Sequence, residues 1–287
     1  MIQTLSPDVM TAESVATLNF SQTVSLLNEP NMCSGGAETI RTVLAQIPTL
    51  RYASRILEVG SNTGFSVLEF ASMVTGTVHG IDIEPYSVKL SRAKARRLGL
   101  DNAHFRVGDG TAIDYPTGDF DLVYASNVTS FIPDAPRAVA EYYRVLRPFG
   151  TLAAVPIYYR TTPSAALLSQ VEEAIGAPLR VRRLDDWIPV FGQGTRQPYW
   201  TQEFEYVDLT PIEIARYVDA VVAQESNTML PQPVLTAAAE RLHHFYTLFN
   251  ENLRHAGFAV LLYRNQEPTP FPILHRTRPV VPGAGGV

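Results

Sequence analysis

The chain has 287 residues, of which 46% are apolar and 18% are charged, a composition typical of a globular protein with a large core. Its formal net charge of −5 argues against binding to nucleic acid or to an anionic membrane, since both attract basic surfaces. The one cysteine, Cys33, excludes an internal disulfide framework and a cysteine-rich metal site. Because Met1–Met10 lacks a signal-peptide pattern and no apolar run reaches membrane-spanning length, we expect a cytoplasmic protein.

Residues 1–50 are predicted to form a helical cap before the first strand. The apolar residues that can share one helical side are Val15, Leu18, Val24 and Leu27. The segment Asn28–Asn31 reads Asn-Glu-Pro-Asn, which is typical of a turn. A second helix is expected over Ala37–Gln46, and Pro48 ends it.

From Arg55 onward, short apolar strands alternate with helices across a predicted core of residues 51–160. The predicted strands are Ile56–Val59, Val78–Ile83, Ala103–Val107, Phe120–Ala125 and Thr151–Pro156, and the clearest helices are Ser66–Met73, Tyr86–Leu98 and Ala135–Val145. Parallel strands need a crossover of helical length, so this alternation indicates parallel pairing. We therefore predict an α/β fold built on a doubly wound, mostly parallel sheet.

Residues 161–254 exceed what the sheet requires and are predicted to form an insertion that also carries late core elements. Its expected elements are helices at Ser164–Ile175 and Leu184–Val190, a strand at Glu203–Asp208, a helix from Thr210 to about Gln224, and a long helix striped by Leu235, Ala238, Leu242, Phe245 and Phe249. The last core strand, Phe258–Tyr263, lies in segment 255–265, and residues 266–287 form a tail rich in Pro and Gly.

The first strand leads into the turn Glu58–Gly64, around which the rest of the chain is organised. Strand, glycine turn and helix together set backbone N–H groups against a ligand. A nicotinamide site needs the pattern G-x-G-x-x-G, whereas this turn has Gly60 and Gly64 without the middle and third glycines. Glu58 would be a poor neighbour for a pyrophosphate and suits a ligand that carries an amino group.

Five stretches in order resemble the motifs of the class I S-adenosylmethionine-dependent methyltransferases: Glu58–Gly64, Gly80–Ile83, Gly108–Gly110, Asp119–Tyr124 and Arg144–Gly150. Ser61 and Asn62 depart from the commoner glycine-rich form of the first motif, but the outer glycines and the leading acid remain. The resemblance implies a Rossmann-like, seven-stranded fold and S-adenosylmethionine as cofactor. The cofactor-binding residues that it implies are Glu58, Gly60, Ser61, Asn62, Gly64, Asp82, Ile83, Asp109, Gly110 and Asn127.

Two acids of these motifs carry alternative interpretations. The resemblance places Asp82 on the ribose hydroxyls, although Glu84 is a rival and an acid at a strand end is often a helix cap. It also places Asp109 against the adenine amino group, although an acid between two glycines is equally typical of a plain turn.

The methyl acceptor is expected beyond the carboxyl ends of the fourth and fifth strands. The residues there that are candidates for contact with it are Thr129, Tyr158 and Tyr159, and Trp187 of the insertion is a further candidate. Asn127 either orients the acceptor or caps the next turn. The following Val128 departs from the Pro-Pro-Tyr motif of enzymes that methylate adenine, and the loop lacks the carboxylate of metal-dependent catechol-type enzymes, so we expect neither DNA modification nor a metal.

A general base cannot be assigned from the sequence, and the candidates for any catalytic role are His244, His255 and Asn127. Either histidine is also typical of a surface position. The insertion and the cap together are expected to bring Trp187, Phe191, Tyr199, Trp200 and Phe245 towards an acceptor as a lid, and the alternative is that these aromatic residues form a homodimer interface.

The sequence thus predicts methyl transfer to a small organic acceptor through O-, N- or C-methylation, in specialised metabolism. The excess of Arg over Lys and the frequent Ala favour a bacterial source. A nicotinamide-dependent Rossmann oxidoreductase is the alternative enzyme class, and a methyltransferase-like binding module without turnover is the alternative that is not an enzyme.

Overall fold

A mixed β-sheet carries the helices of this chain, and the computed structural model describes residues 10–266. The strands are β1 (Arg55–Val59), β2 (Thr77–Asp82), β3 (Ala103–Val107), β4 (Phe120–Ser126), β5 (Leu146–Val155), β6 (Ile157–Tyr159), β7 (Trp200–Glu205) and β8 (Ala256–Arg264). The helices are α1 (Ala12–Val15), α2 (Phe20–Leu26), α3 (Gly36–Gln46), α4 (Phe65–Met73), α5 (Pro85–Leu98), α6 (Ala135–Val145), α7 (Ala165–Ile175), α8 (Leu184–Phe191), α9 (Pro211–Val222) and α10 (Gln232–Leu253).

The sheet runs in the order β3-β2-β1-β4-β5-β8-β6, and β7 pairs with β8. The first five strands pair in parallel, and β8 is antiparallel to β5, β6 and β7. The pairs Thr151↔Arg264 in β5 and Ile157↔Phe258 in β6 belong to one continuous register along β8. Pro156 separates the two segments because it has no N–H to donate, so β5 and β6 are one interrupted strand. The predicted seven-stranded, doubly wound α/β fold is therefore confirmed.

Two apolar cores lie on opposite faces of the sheet. On one face α3, α4 and α5 bury residues such as Ile40, Phe70 and Val88 against the strands. On the other face α6 and α8 contribute Val139 and Phe191. Successive strand residues alternate between these faces, so the strands are apolar almost throughout, as expected for a sheet covered on both sides.

Local capping chemistry sets several helix ends where the sequence predicts them. Thr210 and Glu213 form a reciprocal capping box at the start of α9. Gly99 ends α5 in a left-handed conformation, with φ of 65°. The Asp134 side chain accepts from the Arg137 N–H at the start of α6.

The predicted cap and the predicted insertion pack together into one helical layer, which consists of α1, α2, α7, α9 and α10. Leu27 of α2's C-cap packs with Val218 of α9 and Leu242 of α10. Phe245 and Leu248 of α10 pack with α7. The predicted stripe on α10 is buried at Ala238, Leu242 and Phe245, whereas Leu235 and Phe249 at its ends are partly buried.

Two predicted features need correction or fall outside the described residues. The expected strand Glu203–Asp208 is observed as β7, from Trp200 to Glu205, because pairing with Leu262–Gly257 of β8 sets its register. The tail predicted for residues 266–287 lies beyond the described residues from position 267 onward.

Candidate functional site

The turn after β1 has a backbone that glycine and asparagine adopt most easily. Its left-handed residues are Gly60, with φ of 76°, Asn62, with φ of 42°, and Gly64, with φ of 94°. Asparagine tolerates this conformation better than most residues, which explains how Asn62 can stand where related turns have glycine. A Cβ atom at Gly60 would lie 2.4 Å from Cγ2 of Val128, so this position also requires glycine for space.

Asp82 at the end of β2 is tied directly to this turn. One carboxylate oxygen accepts from the Asn62 N–H at 2.8 Å, and the other accepts from the Glu84 N–H at 2.9 Å. Burial raises the pKa of Asp82, and these amide donors oppose the shift. The side chain of the rival Glu84 accepts from the Tyr86 N–H and caps α5. Asp82 is thus the acid that contacts the turn, and its role as the acceptor of a ligand's hydroxyl groups stays a prediction.

Glu58 at the end of β1 is a buried carboxyl group with 4% exposure. Its Oε2 has no hydrogen-bond donor among the described residues, and the same is true of the buried Ser61 Oγ. Burial, with a smaller contribution from the negative charge of Asp82, raises the pKa of Glu58 to about 8, and the Ser66 hydroxyl opposes the shift. A buried acceptor without a donor is costly, so this atom fits a ligand that brings an amino group.

Asp109 and Gly110 form the loop after β3. Asp109 is exposed, and its Oδ1 accepts from both the N–H and the hydroxyl of Thr111, at 2.7 and 2.8 Å. The structure thus contains the turn that was the alternative interpretation, with its carboxylate still accessible. A Cβ atom at Gly110 would lie 2.9 Å from Cγ1 of Val59, so glycine lets this loop approach the end of β1. Ile83, also predicted to bind cofactor, is 59% exposed beside Asp82.

Asn127 and Thr129 begin the loop after β4. Asn127 is left-handed, its N–H donates to the Val155 carbonyl, and its Oδ1 accepts from the Ser130 hydroxyl at 3.2 Å. Asn127 thus occupies the N-cap position of the turn Val128–Phe131, but its side chain contacts the Ser130 hydroxyl and no backbone N–H of that turn. Thr129 has 2% exposure and forms a hydrogen bond with Tyr142, so its hydroxyl belongs to the interior and not to an accessible acceptor surface.

Tyr158, Tyr159 and Trp187 are buried, and their contact with an acceptor stays a prediction. Tyr158 and Tyr159 lie in the strand β6 and not in the loop that was expected after the fifth strand. The Tyr158 hydroxyl donates to Glu203 at 2.5 Å, and the Trp187 indole donates to the Ile157 carbonyl at 3.0 Å. All three side chains are less than a tenth exposed. The physical reason is that the chain after β5 continues as β6 along β8 instead of leaving the sheet.

The two histidines proposed as bases lie in different surroundings. His244 is exposed on α10. His255 lies in the turn before β8, and its Nδ1 forms a hydrogen bond of 2.8 Å with the Thr161 hydroxyl. Of the predicted lid aromatic residues, Trp187, Phe191 and Phe245 are buried within the chain, whereas Tyr199 is 44% exposed.

Sequence reasoning missed the contribution of the segment 28–31 to this site. The Thr63 hydroxyl donates to the Glu29 carbonyl at 2.7 Å and lies 3.0 Å from the Pro30 carbonyl. The Asn62 side chain donates to the Ser21 hydroxyl at 3.3 Å. The helical layer therefore contacts the turn directly. The Asn-Glu-Pro-Asn pattern indicated a turn, but no local signal indicated its partner.

These residues fit S-adenosylmethionine, because the turn offers a close backbone approach, Asp82 offers hydroxyl acceptors and the donorless Glu58 oxygen offers an acceptor for an amino group. Among residues 10–266, no cluster of three or more His, Cys, Asp or Glu side chains is arranged to hold a metal ion. In the same part of the chain, no helix combines the length and the apolar character needed to cross a membrane.

Comparison with known proteins identifies relatives over the same region. The sequence model of a family described as a methyltransferase domain matches residues 57–154. The chain is 37% identical over 122 residues to nocamycin O-methyltransferase from Saccharothrix syringae, a match that covers 41% of this chain and 44% of that protein. It is 32% identical over 148 residues to aklanonic acid methyltransferase DauC from Streptomyces sp. (strain C5), covering 47% of this chain and 67% of that protein.

Solved structures share the fold over most of the chain. The crystal structure of MccD protein superposes with a TM-score of 0.67 at 21% identity, covering 82% of this chain and 99% of that one. A geranyl diphosphate methyltransferase in complex with S-adenosylmethionine superposes with a TM-score of 0.56 at 14% identity, covering 80% of this chain and 85% of that one. At such identities the likeness shows the fold.

Proposed function

Because this chain belongs to the class I S-adenosylmethionine-dependent methyltransferases, we propose that it transfers a methyl group from S-adenosylmethionine to a small organic acceptor. The observation that carries the proposal is the Glu58–Gly64 turn, which is bonded to Asp82 and leaves the buried Glu58 Oε2 without a donor. The proposed cofactor contacts are Glu58, Gly60, Ser61, Asn62, Gly64, Asp82, Ile83, Asp109, Gly110 and Asn127.

The chain's own residues have three tasks in this reaction. When bound, S-adenosylmethionine supplies a sulfonium methyl group whose departure leaves a neutral thioether. Asp82 would accept hydrogen bonds from ribose hydroxyls, and Glu58 would accept from the amino group, so that both ends of the cofactor are fixed. The helical layer would exclude water, which matters because displacement at the methyl carbon depends on alignment and desolvation.

The helical layer over the turn supports a small acceptor in preference to a polymer. Ser21 contacts Asn62, and Ser25 of α2 forms a buried hydrogen bond of 2.8 Å with Ser87 of α5. A covered site suits an acceptor that can be enclosed, whereas a nucleic acid needs an open, basic surface. The relatives named for nocamycin, aklanonic acid and 27-O-demethylrifamycin SV support an acceptor from bacterial specialised metabolism.

The roles of acceptor and base remain part of the proposal. His244 and His255 are the proposed candidates for accepting a proton, and Asn127 is the proposed candidate for orienting the acceptor. Asn127 and His255 already have hydrogen-bond partners, whereas His244 is exposed on α10. We also propose a cytoplasmic location and no metal requirement, for the reasons given in the sequence analysis. A homodimer is the alternative role for exposed aromatic residues such as Tyr199.

Calorimetric titration with S-adenosylhomocysteine and with NADH tests the cofactor class. We expect binding of S-adenosylhomocysteine and none of NADH, because the turn lacks the middle glycine of a nicotinamide site. Preferential binding of NADH would instead support the oxidoreductase. Incubation with S-adenosylmethionine and a panel of small organic acceptors, followed by mass spectrometry, then tests turnover. A product larger by one CH₂ unit supports the enzyme, and binding without product over the panel supports the non-catalytic alternative.

A further inference from the structure

The strap, which we define as residues 28–31, connects α2 to the loop before α3 and crosses the cofactor turn. Asn28 and Asn31 at its two ends are both left-handed, with φ of 49°. The Thr63 hydroxyl donates to the carbonyl of Glu29 at 2.7 Å, and its side chain is fully buried there. The backbone of the strap is therefore one wall of the turn that we propose to hold the cofactor.

The carboxylate of Glu29 connects the strap to the helical layer. It is completely buried and accepts from the Asn31 N–H at 2.6 Å, from the Tyr246 hydroxyl of α10 at 2.9 Å, and from the Tyr217 hydroxyl of α9. The rings of Tyr217 and Tyr246 pack edge to face, with centroids 5.1 Å apart. Three donors thus converge on one side chain, from two helices and the strap itself.

A carboxylate in this place costs desolvation energy that an apolar side chain would avoid. Burial raises the pKa of Glu29, while its hydrogen bonds and the positive charge of Lys94 oppose the shift. Packing of α9 on α10 already rests on apolar contacts such as those of Val218 and Leu242. The carboxylate therefore fixes the position of α9 and α10 relative to the strap and to Thr63.

We infer that Glu29 is a positioning residue that couples the packing of the helical layer to the order of the cofactor turn. The Glu29 carboxylate accepts from the Tyr217 and Tyr246 hydroxyls, and the Glu29 carbonyl accepts from the Thr63 hydroxyl. One residue therefore connects the helical layer to the cofactor turn. The inference rests on the proposed function in one respect, namely that the turn binds S-adenosylmethionine. Loss of the tyrosine hydroxyls should loosen the strap, and the turn should lose order and affinity with it.

The test uses the full chain with Tyr217→Phe, Tyr246→Phe and the double variant, which remove the donors and keep the rings. Tyr263→Phe is the matched control, because its buried hydroxyl donates to the Ile188 carbonyl at 3.1 Å, away from the strap. Affinity for S-adenosylhomocysteine is measured by calorimetry, and melting temperature is measured in parallel. We expect the double variant to lose about tenfold or more in affinity. Its melting temperature should also fall, because Glu29 Oε1 loses both hydroxyl donors, whereas the control should keep its affinity.

Glu29→Gln and Glu29→Ala separate shape from charge. Glutamine keeps the volume and one carbonyl acceptor, so Glu29→Gln should retain part of the affinity that Glu29→Ala loses. If the double variant and Glu29→Gln bind as tightly as the unaltered chain while their melting temperatures fall, Glu29 is only structural and the inference is overturned.

Hydrogen exchange distinguishes failure of the inferred coupling from failure of the proposed function. Faster exchange at residues 61–64 in the double variant, without ligand, supports the coupling even if no methyl transfer is found. Unchanged exchange at residues 61–64, with faster exchange confined to α9 and α10, contradicts it. Binding of S-adenosylhomocysteine without turnover would count against the proposed enzyme and leave the coupling in place.

Discussion

Replacing Glu58 by glutamine should stabilise the protein, and increasingly so as the pH rises. Burial raises the pKa of Glu58 from its ordinary value of 4.5 to about 8. Between these values the folded protein keeps the proton while the unfolded chain releases it, so the free energy of unfolding falls as the pH increases. Glutamine is neutral at every pH and close in shape to the protonated carboxyl group. Glu58→Gln therefore removes this fall in the free energy of unfolding.

The magnitude follows from the two pKa values. At pH 7 the unfolded carboxyl group is ionised and the folded one is mostly protonated, which corresponds to about 3 kcal/mol at 1.36 kcal/mol per pKa unit. The full shift, reached above pH 8, corresponds to about 5 kcal/mol and is an upper bound. Glu58→Gln and the unaltered chain should therefore have similar stability near pH 4 and differ by about 3 kcal/mol at pH 7.

Urea unfolding of both chains between pH 4 and pH 8 measures this difference. Glu38→Gln is the control, because Glu38 is exposed on α3, and its effect should be nearly constant over the same range. A Glu58→Gln effect that is as constant as that of the control would refute the argument, since it would mean that the carboxyl group ionises alike in the folded and unfolded chain.

Three other predictions concern the site and the fold. Asp82→Ala should weaken binding of S-adenosylhomocysteine at least about tenfold in calorimetry, because two hydroxyl contacts to a carboxylate are lost, and unchanged affinity would place the ribose elsewhere, for example at Glu84. Gly60→Ala should destabilise the chain by about 1–3 kcal/mol in urea unfolding, because it adds left-handed strain and a clash with Val128. Val128→Ala in the same chain should recover part of that loss, and no recovery would argue against the clash. Thr210→Ala should cost about 1 kcal/mol of stability without changing the affinity, since it removes only the cap of α9, and a changed affinity would tie that cap to the site.

The elements with local signals were predicted closely. The strand Ala103–Val107 and the helix Ala135–Val145 have the predicted bounds, and α9 begins at the predicted Thr210–Glu213 box. Strand periodicity, capping side chains and breaking residues act over a few positions, so they can be recognised without the rest of the fold.

The site was predicted where it depends on one strand end and its turn. Gly60 has the left-handed backbone that its turn requires, and Asp82 accepts from the Asn62 N–H of the same turn, while its contact with ribose stays a prediction. The loop predicted at Tyr158 and Tyr159 is instead the strand β6, because pairing with β8, more than 90 residues along the chain, keeps this segment in the sheet. No local pattern carries that register.

Sequence by itself determined the alternation of strands and helices and the turn Glu58–Gly64, because each depends on neighbouring residues. It also indicated the cofactor class, through five motifs in family order between residues 58 and 150. Tertiary structure alone decided what covers the turn. Glu29 meets Tyr217 and Tyr246 across sequence separations of 188 and 217 residues. Such contacts form only when α9 and α10 pack on the N-terminal helices, so burial of this carboxylate cannot be inferred from the residues that flank it.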